Sequence, residues 1–464
     1  DYYLGRKKGS FMQQTKQLGE TSITKLLLKF SIPATVGMLV NALYNVVDRI
    51  FVGNGVGRLA LSAITVEFPL TLMVMAFNML IGIGASTLIS IRLGQKKEKE
   101  AREIMGNAFV LFLIVGTLVT VAGLFFLEPL LKLLGASPEV MPYAKDYGGI
   151  IIAGTLFFTI GMGMNNMIRA EGNPKMAMAT MLIGAVANII LDPIFIFVFG
   201  WGIKGAAIAT IISKAISAVW VLRYFLTGTG HLRLDIKHIQ MKSAHVLSIL
   251  TLGIAPFSIQ MAASLLNIIL NKSLFHYGGD LALAAMGIVG SVTSLMLMPI
   301  FGITQGLQPI IGYNYGARNF SRVKEALQKG MLAATVITVL GFIIITLFPA
   351  QLVTLFNKED ADLVALGSKA LQTFLMALPI IGAQIVGANY FQAVGKPKHA
   401  ALLSLSRQVL ILIPAILILP RFWGLNGIFY AGPLSDLLST FITGFFVIRE
   451  LKKNAARESL TELV

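Results

Sequence analysis

Residues 106–127 have the sequence GNAFVLFLIVGTLVTVAGLFFL, a run of twenty-two residues without a charged side chain. An α-helix of this length extends about 33 Å, which is enough to cross the ~30 Å hydrocarbon layer of a bilayer. Comparable apolar runs recur along the whole chain. The sequence therefore predicts an integral membrane protein built from successive long helices.

The overall composition supports the same class of protein. Of the 464 residues, 56% are hydrophobic and 13% are charged, and the mean hydropathy is +0.77. Soluble domains have about twice this charged fraction, so a soluble protein is excluded. The chain contains no cysteine, which excludes disulfides, thiolate metal sites and cysteine nucleophiles.

The apolar runs predict about twelve transmembrane helices. Their approximate bounds are 30–52, 59–91, 106–127, 142–168, 175–199, 205–226, 246–275, 281–314, 330–349, 363–393, 399–420 and 424–448. Most of the 38 Lys and Arg residues then fall on one side of the membrane. Because positively charged loops remain in the cytoplasm, we expect both termini there, in the plasma membrane of a bacterium or archaeon. This topology explains the net charge of +16 without nucleic acid binding.

An internal repeat organises the chain. Matching residues lie 222 positions apart, as in Leu59 and Leu281, Gly94 and Gly316, and Trp201 and Trp423, and the pattern Ala-x-Gly-x-Pro at 170–174 returns at 393–397. Each copy contains six spans, an even number, so both copies enter the membrane in the same orientation. We therefore predict an all-α fold of two six-helix bundles related by a pseudo-two-fold axis along the membrane normal.

The repeat also predicts the domain organisation. We expect an N-terminal lobe at 1–226, a cytoplasmic linker at 227–245, a C-terminal lobe at 246–450 and a cytoplasmic tail at 451–464. Two lobes with a cleft between them suit transport by alternating access. The alternative is a duplicated bundle that is retained for stability.

Polar residues inside the predicted spans of the first lobe form the leading candidate site. An ionisable side chain in the hydrocarbon region costs about 2.5 to 3.5 kcal/mol, so each one needs a reason. At 1.5 Å per residue, Asp48, Glu67, Asp192 and Thr210 all fall roughly 7 to 12 Å below the outer surface. Asn188 lies one helical turn before Asp192, and the following Pro193 kinks the helix and leaves a carbonyl without its donor.

This all-oxygen set suits a hard cation such as Na⁺. Without a cation, two close carboxylates repel each other and take up a proton instead. We predict an ion-coupling site for Na⁺ or H⁺ at Asp48, Asn188, Asp192 and Thr210. A structural polar network at the same place is the alternative.

Further residues are candidates for modulating the first-lobe site, namely Glu67, Lys214, Asn45 and Asn41. Lys214 lies one turn from Thr210, where it either neutralises part of the acidic cluster or faces elsewhere. Asp48 falls on Leu270 in the second copy of the repeat, and Asp192 falls near 413–415. The second lobe has therefore lost both carboxylates, which favours a function specific to the first.

In the second lobe, Arg407 and Asp436 lie at similar depth in the last two spans. They are predicted to form a structural ion pair, and a role for Asp436 in binding substrate or a proton is the alternative. Polar residues on neighbouring spans, Gln305, Gln308 and Asn267, are expected to face a cavity or a helix interface.

Several classes of function lack their motifs. The chain has no G-x-x-x-x-G-K-[ST] loop, so we expect no ATP hydrolysis by that route. Its five histidines are scattered without metal-ligand spacing, and no nucleophile–base constellation is visible, so an enzyme is not expected. No cofactor is predicted besides the coupling ion.

Several segments resemble the multidrug and toxic compound extrusion (MATE) family, and within it the MepA-like bacterial multidrug exporters. They are residues 47–53, 308–317, 433–436, 170–174 and 393–397. The resemblance implies two six-helix lobes and export of amphipathic, often cationic drugs and toxic compounds in exchange for Na⁺ or H⁺. Members with a cation site in the first lobe place it on residues that correspond here to Asp48, Asn188, Asp192 and Thr210.

Two other transport functions remain as alternatives. A flippase for lipid-linked precursors has a related architecture, but it is expected to line its cavity with cations, whereas the intramembrane residues here are of mixed sign. A passive channel is disfavoured because the carboxylates differ between the lobes. We expect a single chain to be functional, since both lobes lie within it.

Overall fold

The computed structural model describes residues 17–56, 58–134, 136, 138–227, 232–235, 240–355 and 361–462. Within these ranges the secondary structure is helical, with no strand. The predicted all-α class is confirmed.

The first copy of the repeat runs from α1 to α8. The helices are α1 (Ile23–Gly55), α2 (Arg58–Gly94), α3 (Glu98–Phe125), α4 (Leu127–Leu133), α5 (Met141–Ala153), α6 (Thr155–Ala170), α7 (Pro174–Pro193) and α8 (Gly202–Leu226). A π-helical segment, Ile194–Val198, follows α7 directly.

The second copy begins with a helix that is broken at Gly279, where φ is 61°. The helices are α9 (Ser243–Gly316), α10 (Phe320–Leu347), α11 (Pro349–Thr354), α12 (Ala361–Phe374), α13 (Leu378–Ala393), α14 (Pro397–Leu405), α15 (Ile413–Ile418), α16 (Pro420–Trp423) and α17 (Leu425–Glu462). A π-helical segment, Ser406–Leu412, lies between α14 and α15.

The described chain contains ten helical segments that are long and apolar enough to cross a membrane. Two helix pairs, α5–α6 and α12–α13, pass the same test when each pair is taken as one span, which gives up to twelve. The prediction of about twelve spans is therefore confirmed. The predicted spans 142–168 and 363–393 are not straight, because these pairs bend by 51° and 50°.

The two bends have identifiable causes. Between α5 and α6, a Cβ atom on Gly154 would lie 2.4 Å from Ile211 Cδ1, so this close approach of α8 requires glycine. Pro379 occupies the first turn of α13, where its missing N–H group would have no helical partner.

Backbone geometry shows the repeat directly. Positive φ angles recur at equivalent positions, at Lys96 (60°) and Arg318 (58°), Gly172 (101°) and Gly395 (75°), and Gly202 (55°) and Gly424 (54°). A residue other than glycine is uncommon at positive φ, so Lys96 and Arg318 form an unusual matched pair. The two copies therefore share fold as well as sequence.

The chain separates into two compact units that exchange the first limbs of α1 and α9. Val36–Phe257 belongs to the first unit, whereas Ser22–Thr35 and Ser258–Val464 belong to the second. Pro33 and Pro256 lie just before the two points of exchange. The predicted lobes at 1–226 and 246–450 stay a prediction, since compactness does not show which segments move together.

Candidate ion-coupling site

The site in the first unit begins at the C-terminal end of α7. Asn188 Nδ2 donates a hydrogen bond to Asp192 Oδ1 at 3.0 Å, and both side chains are buried. Pro193 ends the helix, and the chain continues as the π-helical segment Ile194–Val198. Such a segment widens the backbone spiral and is frequent at functional sites. The asparagine, the aspartate and the irregular backbone thus occupy less than three turns.

Asp48, on α1, faces this part of α7. Its side chain is 7% exposed, and its carboxyl group lies close enough to that of Asp192 for a proton to bridge them. Two buried carboxylates this close to each other can both stay charged only when a cation lies between them. Without a cation, they share a proton and carry one negative charge. Asp192 Oδ2 and Asn188 Oδ1 are buried and accept no hydrogen bond from the described residues. These oxygens are therefore available to a cation.

Glu67 lies on α2 and is 3% exposed. Thr71 Oγ1, one turn further along the helix, lies 2.9 Å and 3.1 Å from its two carboxyl oxygens. The buried Tyr147 phenol on α5 is close enough to interact with the charges of Asp48, Glu67 and Asp192. Tyr147 therefore lies near both Glu67 and the aspartate pair.

Tyr147 was not among the predicted site residues, because the prediction rested on the charged, amide and aliphatic hydroxyl side chains of the spans. Tyr143 and Tyr147 stand one turn apart at the start of the fourth predicted span, and only Tyr147 is fully buried. Tyrosine spacing in an otherwise apolar span is the signal that would have found it.

Lys214, on α8, contacts the cluster through a tyrosine rather than a carboxylate. Its Nζ donates a hydrogen bond to Tyr44 Oη at 2.9 Å and lies 5.0 Å from the Tyr44 ring centroid and 5.3 Å from that of Phe158. Within the described part of the chain it forms no ion pair. The charge of Lys214 is stabilised by these aromatic rings, and Tyr44 stands one turn before Asp48 on α1.

The remaining first-unit candidates are less closely tied to the pair. Thr210 is half-buried on α8, and its hydroxyl makes no hydrogen bond to any described residue. The side chains of Asn41 and Asn45 lie outside the described residues. Across the described chain, no group of three or more His, Asp and Glu side chains converges on one point. A cation at Asp48 and Asp192 would thus need amide, hydroxyl or backbone oxygens as well.

In the second unit, Arg407 Nε lies 2.6 Å from Asp436 Oδ1. Arg407 is on the π-helical segment Ser406–Leu412, and the Asp436 side chain is 3% exposed. Gln305 and Gln308 are half-buried on the second limb of α9. Asn267 is exposed, and its Nδ2 donates to the carbonyl of Ala263, one turn earlier, at 3.0 Å.

The repeat and the fold are also found in known proteins. The MatE family model matches the chain twice, over residues 33–194 and 256–417, which together form more than half of its length. Multidrug export protein MepA of Staphylococcus haemolyticus (strain JCSC1435) is 28% identical over 428 residues, covering 92% of this chain and 94% of the relative. MepA of Staphylococcus aureus (strain MSSA476) is 27% identical over 426 residues, with the same coverage.

Solved structures give the same result. The MATE multidrug transporter DinF-BH, in complex with R6G, is 40% identical, and the match covers 93% of this chain and 96% of that chain with a TM-score of 0.87. A MATE structure in the bent conformation is 25% identical, with coverage of 96% and 99% and a TM-score of 0.91. The chain therefore belongs to the MatE family, the multidrug and toxic compound extrusion transporters that its sequence resembles.

Proposed function

We propose that this protein is a secondary antiporter that exports amphipathic, cationic small molecules in exchange for Na⁺ or H⁺. The observation that carries the proposal is the buried pair Asp48 and Asp192, whose carboxyl groups are near enough to share a proton. Relatives named as multidrug export proteins support the class of substrate. Asn188 donates a hydrogen bond to Asp192 Oδ1 and so orients the carboxylate. Asp192 Oδ2 accepts no hydrogen bond from the described residues and can bind a cation.

The mechanism follows from the repulsion between the two carboxylates. When a cation or proton leaves the pair, the two negative charges favour separation of α1 from α7, and when one binds, the attraction draws the helices together. The chain next to Asp192 is already irregular, with Pro193 and a π-helical segment, so it can bend at little cost. Alternating access would thereby be coupled to the ion. A membrane potential of 100 mV adds about 2.3 kcal/mol per charge moved.

A coupling role explains why only one copy of the repeat has the pair. Leu270 stands where Asp48 would recur, and residues 413–415 stand where Asp192 would recur. The second copy forms equivalent helices without these carboxylates, so the fold does not require them. A group that costs free energy to bury and is not needed for folding is best explained by function.

The test is efflux of a fluorescent cationic dye from proteoliposomes, with a Na⁺ gradient or a pH gradient imposed at clamped potential. We expect one gradient to drive efflux in the wild type, and Asp192→Asn to reduce the driven component to that of protein-free liposomes. Asp146→Asn is the matched control. It makes the same chemical change at a half-exposed aspartate on α5, next to Tyr147 in the sequence.

The outcomes separate the alternatives. Efflux driven by Na⁺ alone identifies a sodium antiporter, and efflux driven by the pH gradient alone identifies a proton antiporter. If Asp192→Asn keeps full driven efflux at equal protein content, the pair is not the coupling site. If neither gradient moves the dye in the wild type, drug antiport is wrong and a lipid-linked substrate becomes the next candidate.

We further propose that both termini are cytoplasmic. The chain has no cysteine, so single cysteines can be introduced without background labelling. In intact cells, a membrane-impermeant maleimide should label Asp362→Cys and should label Lys97→Cys only after permeabilisation; both positions are exposed. The reverse pattern would invert the topology.

A further inference from the structure

A cavity of about 230 Å³ lies in the second unit, where the turn between α13 and α14 meets the part of α17 near the end of its membrane span. Its aromatic side is formed by Phe391, His399 and Phe446. The His399 ring stacks on Phe391 with centroids 5.5 Å apart and meets the edge of Phe446 at 5.6 Å. The histidine is thus held between two rings.

The charged side of the cavity is positive. It is formed by Lys396, Arg449 and Lys453 together with a single carboxylate, Glu450. Glu450 is buried and forms an ion pair with Lys396. The charges of Arg449 and Lys453 are therefore not compensated by this carboxylate. These two side chains are exposed, stand one turn apart on α17 and form no ion pair with any described side chain. The Lys, Arg and Glu side chains of the lining therefore carry a net charge of +2.

The equivalent turn in the first unit has side-chain acceptors of its own. There Asn173 caps α7 by accepting a hydrogen bond from Met176 N at 3.2 Å. The buried Glu171 accepts hydrogen bonds from Tyr224 Oη and from Leu232 N, the latter at 2.9 Å. These acceptors satisfy the turn from within the chain.

In the second unit those acceptors are absent at the matching positions. Val394 stands in the place of Glu171, and Lys396 stands in the place of Asn173 and gives α14 no side-chain cap. The first turn of α14, which begins at Pro397, thus has no side-chain cap, and three cationic side chains line the cavity beside it. Such a combination favours a bound anion.

The surface beside the cavity indicates which anion. Phe441 and Phe445 precede Arg449 on α17 at four-residue intervals, and they are 74% and 62% exposed. Residues four apart are neighbours on a helix surface, so an exposed apolar ridge leads directly to the cationic side chains. An apolar ridge that ends at cationic side chains matches the chemistry of an anionic lipid, in which an acyl chain adjoins a phosphate.

We propose that this cavity binds the phosphate group of an anionic phospholipid, with an acyl chain along Phe441 and Phe445. The predicted topology places it at the cytoplasmic leaflet, where anionic lipids attract basic groups next to the membrane. Arg449 and Lys453 provide charge-assisted hydrogen bonds to the phosphate. The shared chemistry is a phosphate ester, and the ridge favours a lipid over a soluble phosphate.

The experiment is native mass spectrometry of the purified full-length chain in neutral detergent, titrated with phosphatidylglycerol or phosphatidylcholine. We expect preferential binding of phosphatidylglycerol, weakened roughly 30-fold in Arg449→Gln/Lys453→Gln, at about fivefold for each positive charge removed. The control is Lys398→Gln/Lys452→Gln, which removes the same charge from exposed neighbours outside the lining. Arg449→Lys/Lys453→Arg keeps the charge and should keep most of the binding.

Three results would overturn the proposal. Equal losses in the cavity variant and in the control variant would show that only net charge is sensed. Equal binding of phosphatidylcholine would exclude recognition of an anionic headgroup. Displacement of phosphatidylglycerol by equimolar glycerol phosphate would show that the site takes soluble phosphate esters without using the ridge.

Discussion

The two copies of the repeat share positive φ angles at three pairs of equivalent positions, yet they bury different polar groups. Lys214 in the first copy and Asp436 in the second lie 222 residues apart and have opposite charges. Lys214 donates to Tyr44, whereas Asp436 forms an ion pair with Arg407 at 2.6 Å. The first unit thus buries two carboxylates beside each other, whereas Asp436 and Glu450, which are buried in the second unit, each form an ion pair with a cationic side chain.

The difference teaches which copy can respond to an ion. A carboxylate that is paired with a guanidinium gains little from a further cation, because its charge is already compensated. A pair of adjacent carboxylates binds a cation more favourably, because the cation attracts both groups and also offsets their mutual repulsion. Under the proposed function, the first unit couples transport to the ion, and the second unit keeps a buried interior whose charges are compensated.

The largest expected effect is on dye efflux, when the carboxylates of the first unit and of the second unit are replaced in turn. Asp48→Asn removes one of the adjacent carboxylates and should lower gradient-driven dye efflux at least a hundredfold in proteoliposomes. Arg407→Leu/Asp436→Leu replaces the ion pair with apolar side chains, a change that is often neutral for stability. We expect the double variant to keep efflux within about threefold of wild type. Loss of coupling in the double variant would assign Asp436 a direct role in transport.

A smaller effect concerns stability in the second unit. Arg407→Leu alone leaves the buried Asp436 without its partner, which should lower the free energy of unfolding by about 3–5 kcal/mol. Adding Asp436→Leu should recover most of that loss. Thermal unfolding of the three variants in one detergent measures both changes. A double variant that is no more stable than Arg407→Leu would contradict this explanation. It would show that the two side chains stabilise the fold by more than compensating each other's charge.

The smallest effect compares Thr71 with Thr293, its equivalent in the second copy. Thr71 Oγ1 contacts the Glu67 carboxylate, whereas Thr293 Oγ1 donates to the backbone carbonyl of Val289 at 2.7 Å. Thr71→Val should lower the unfolding free energy by about 1 kcal/mol, because the buried Glu67 loses its donor. Thr293→Val should cost less, since that carbonyl keeps its helical hydrogen bond. Equal costs would mean that Glu67 does not depend on Thr71.

Much of the fold could be predicted from the sequence, because span length and repeat spacing are properties of the chain itself. Apolar runs such as 106–127 predicted the helix count, and recurrences such as that of Trp201 as Trp423 predicted the duplication. The exchange of first limbs between α1 and α9 was not predictable in the same way. Equal copies show what recurs, but they do not show which span packs against which.

The sequence predicted how deep in the membrane the candidate site residues lie, but not which neighbours their side chains face. Spacing along the spans placed Asp48 and Asp192 at similar depth, and the structure shows that their carboxyl groups interact. Helix rotation is what the sequence leaves open, so the partner of Lys214 had two alternatives and Tyr147 was not considered. Both depend on how neighbouring helices face each other, which only tertiary packing determines.

The most direct test of the central claim is cation binding by the purified transporter, measured as ²²Na⁺ bound and as protons released when a cationic dye is added. The account predicts that dye displaces about one cation or proton per wild-type chain, and that Asp192→Asn neither binds ²²Na⁺ above background nor releases protons. Displacement of the same cation by dye in Asp192→Asn would contradict the account and place coupling elsewhere in the molecule.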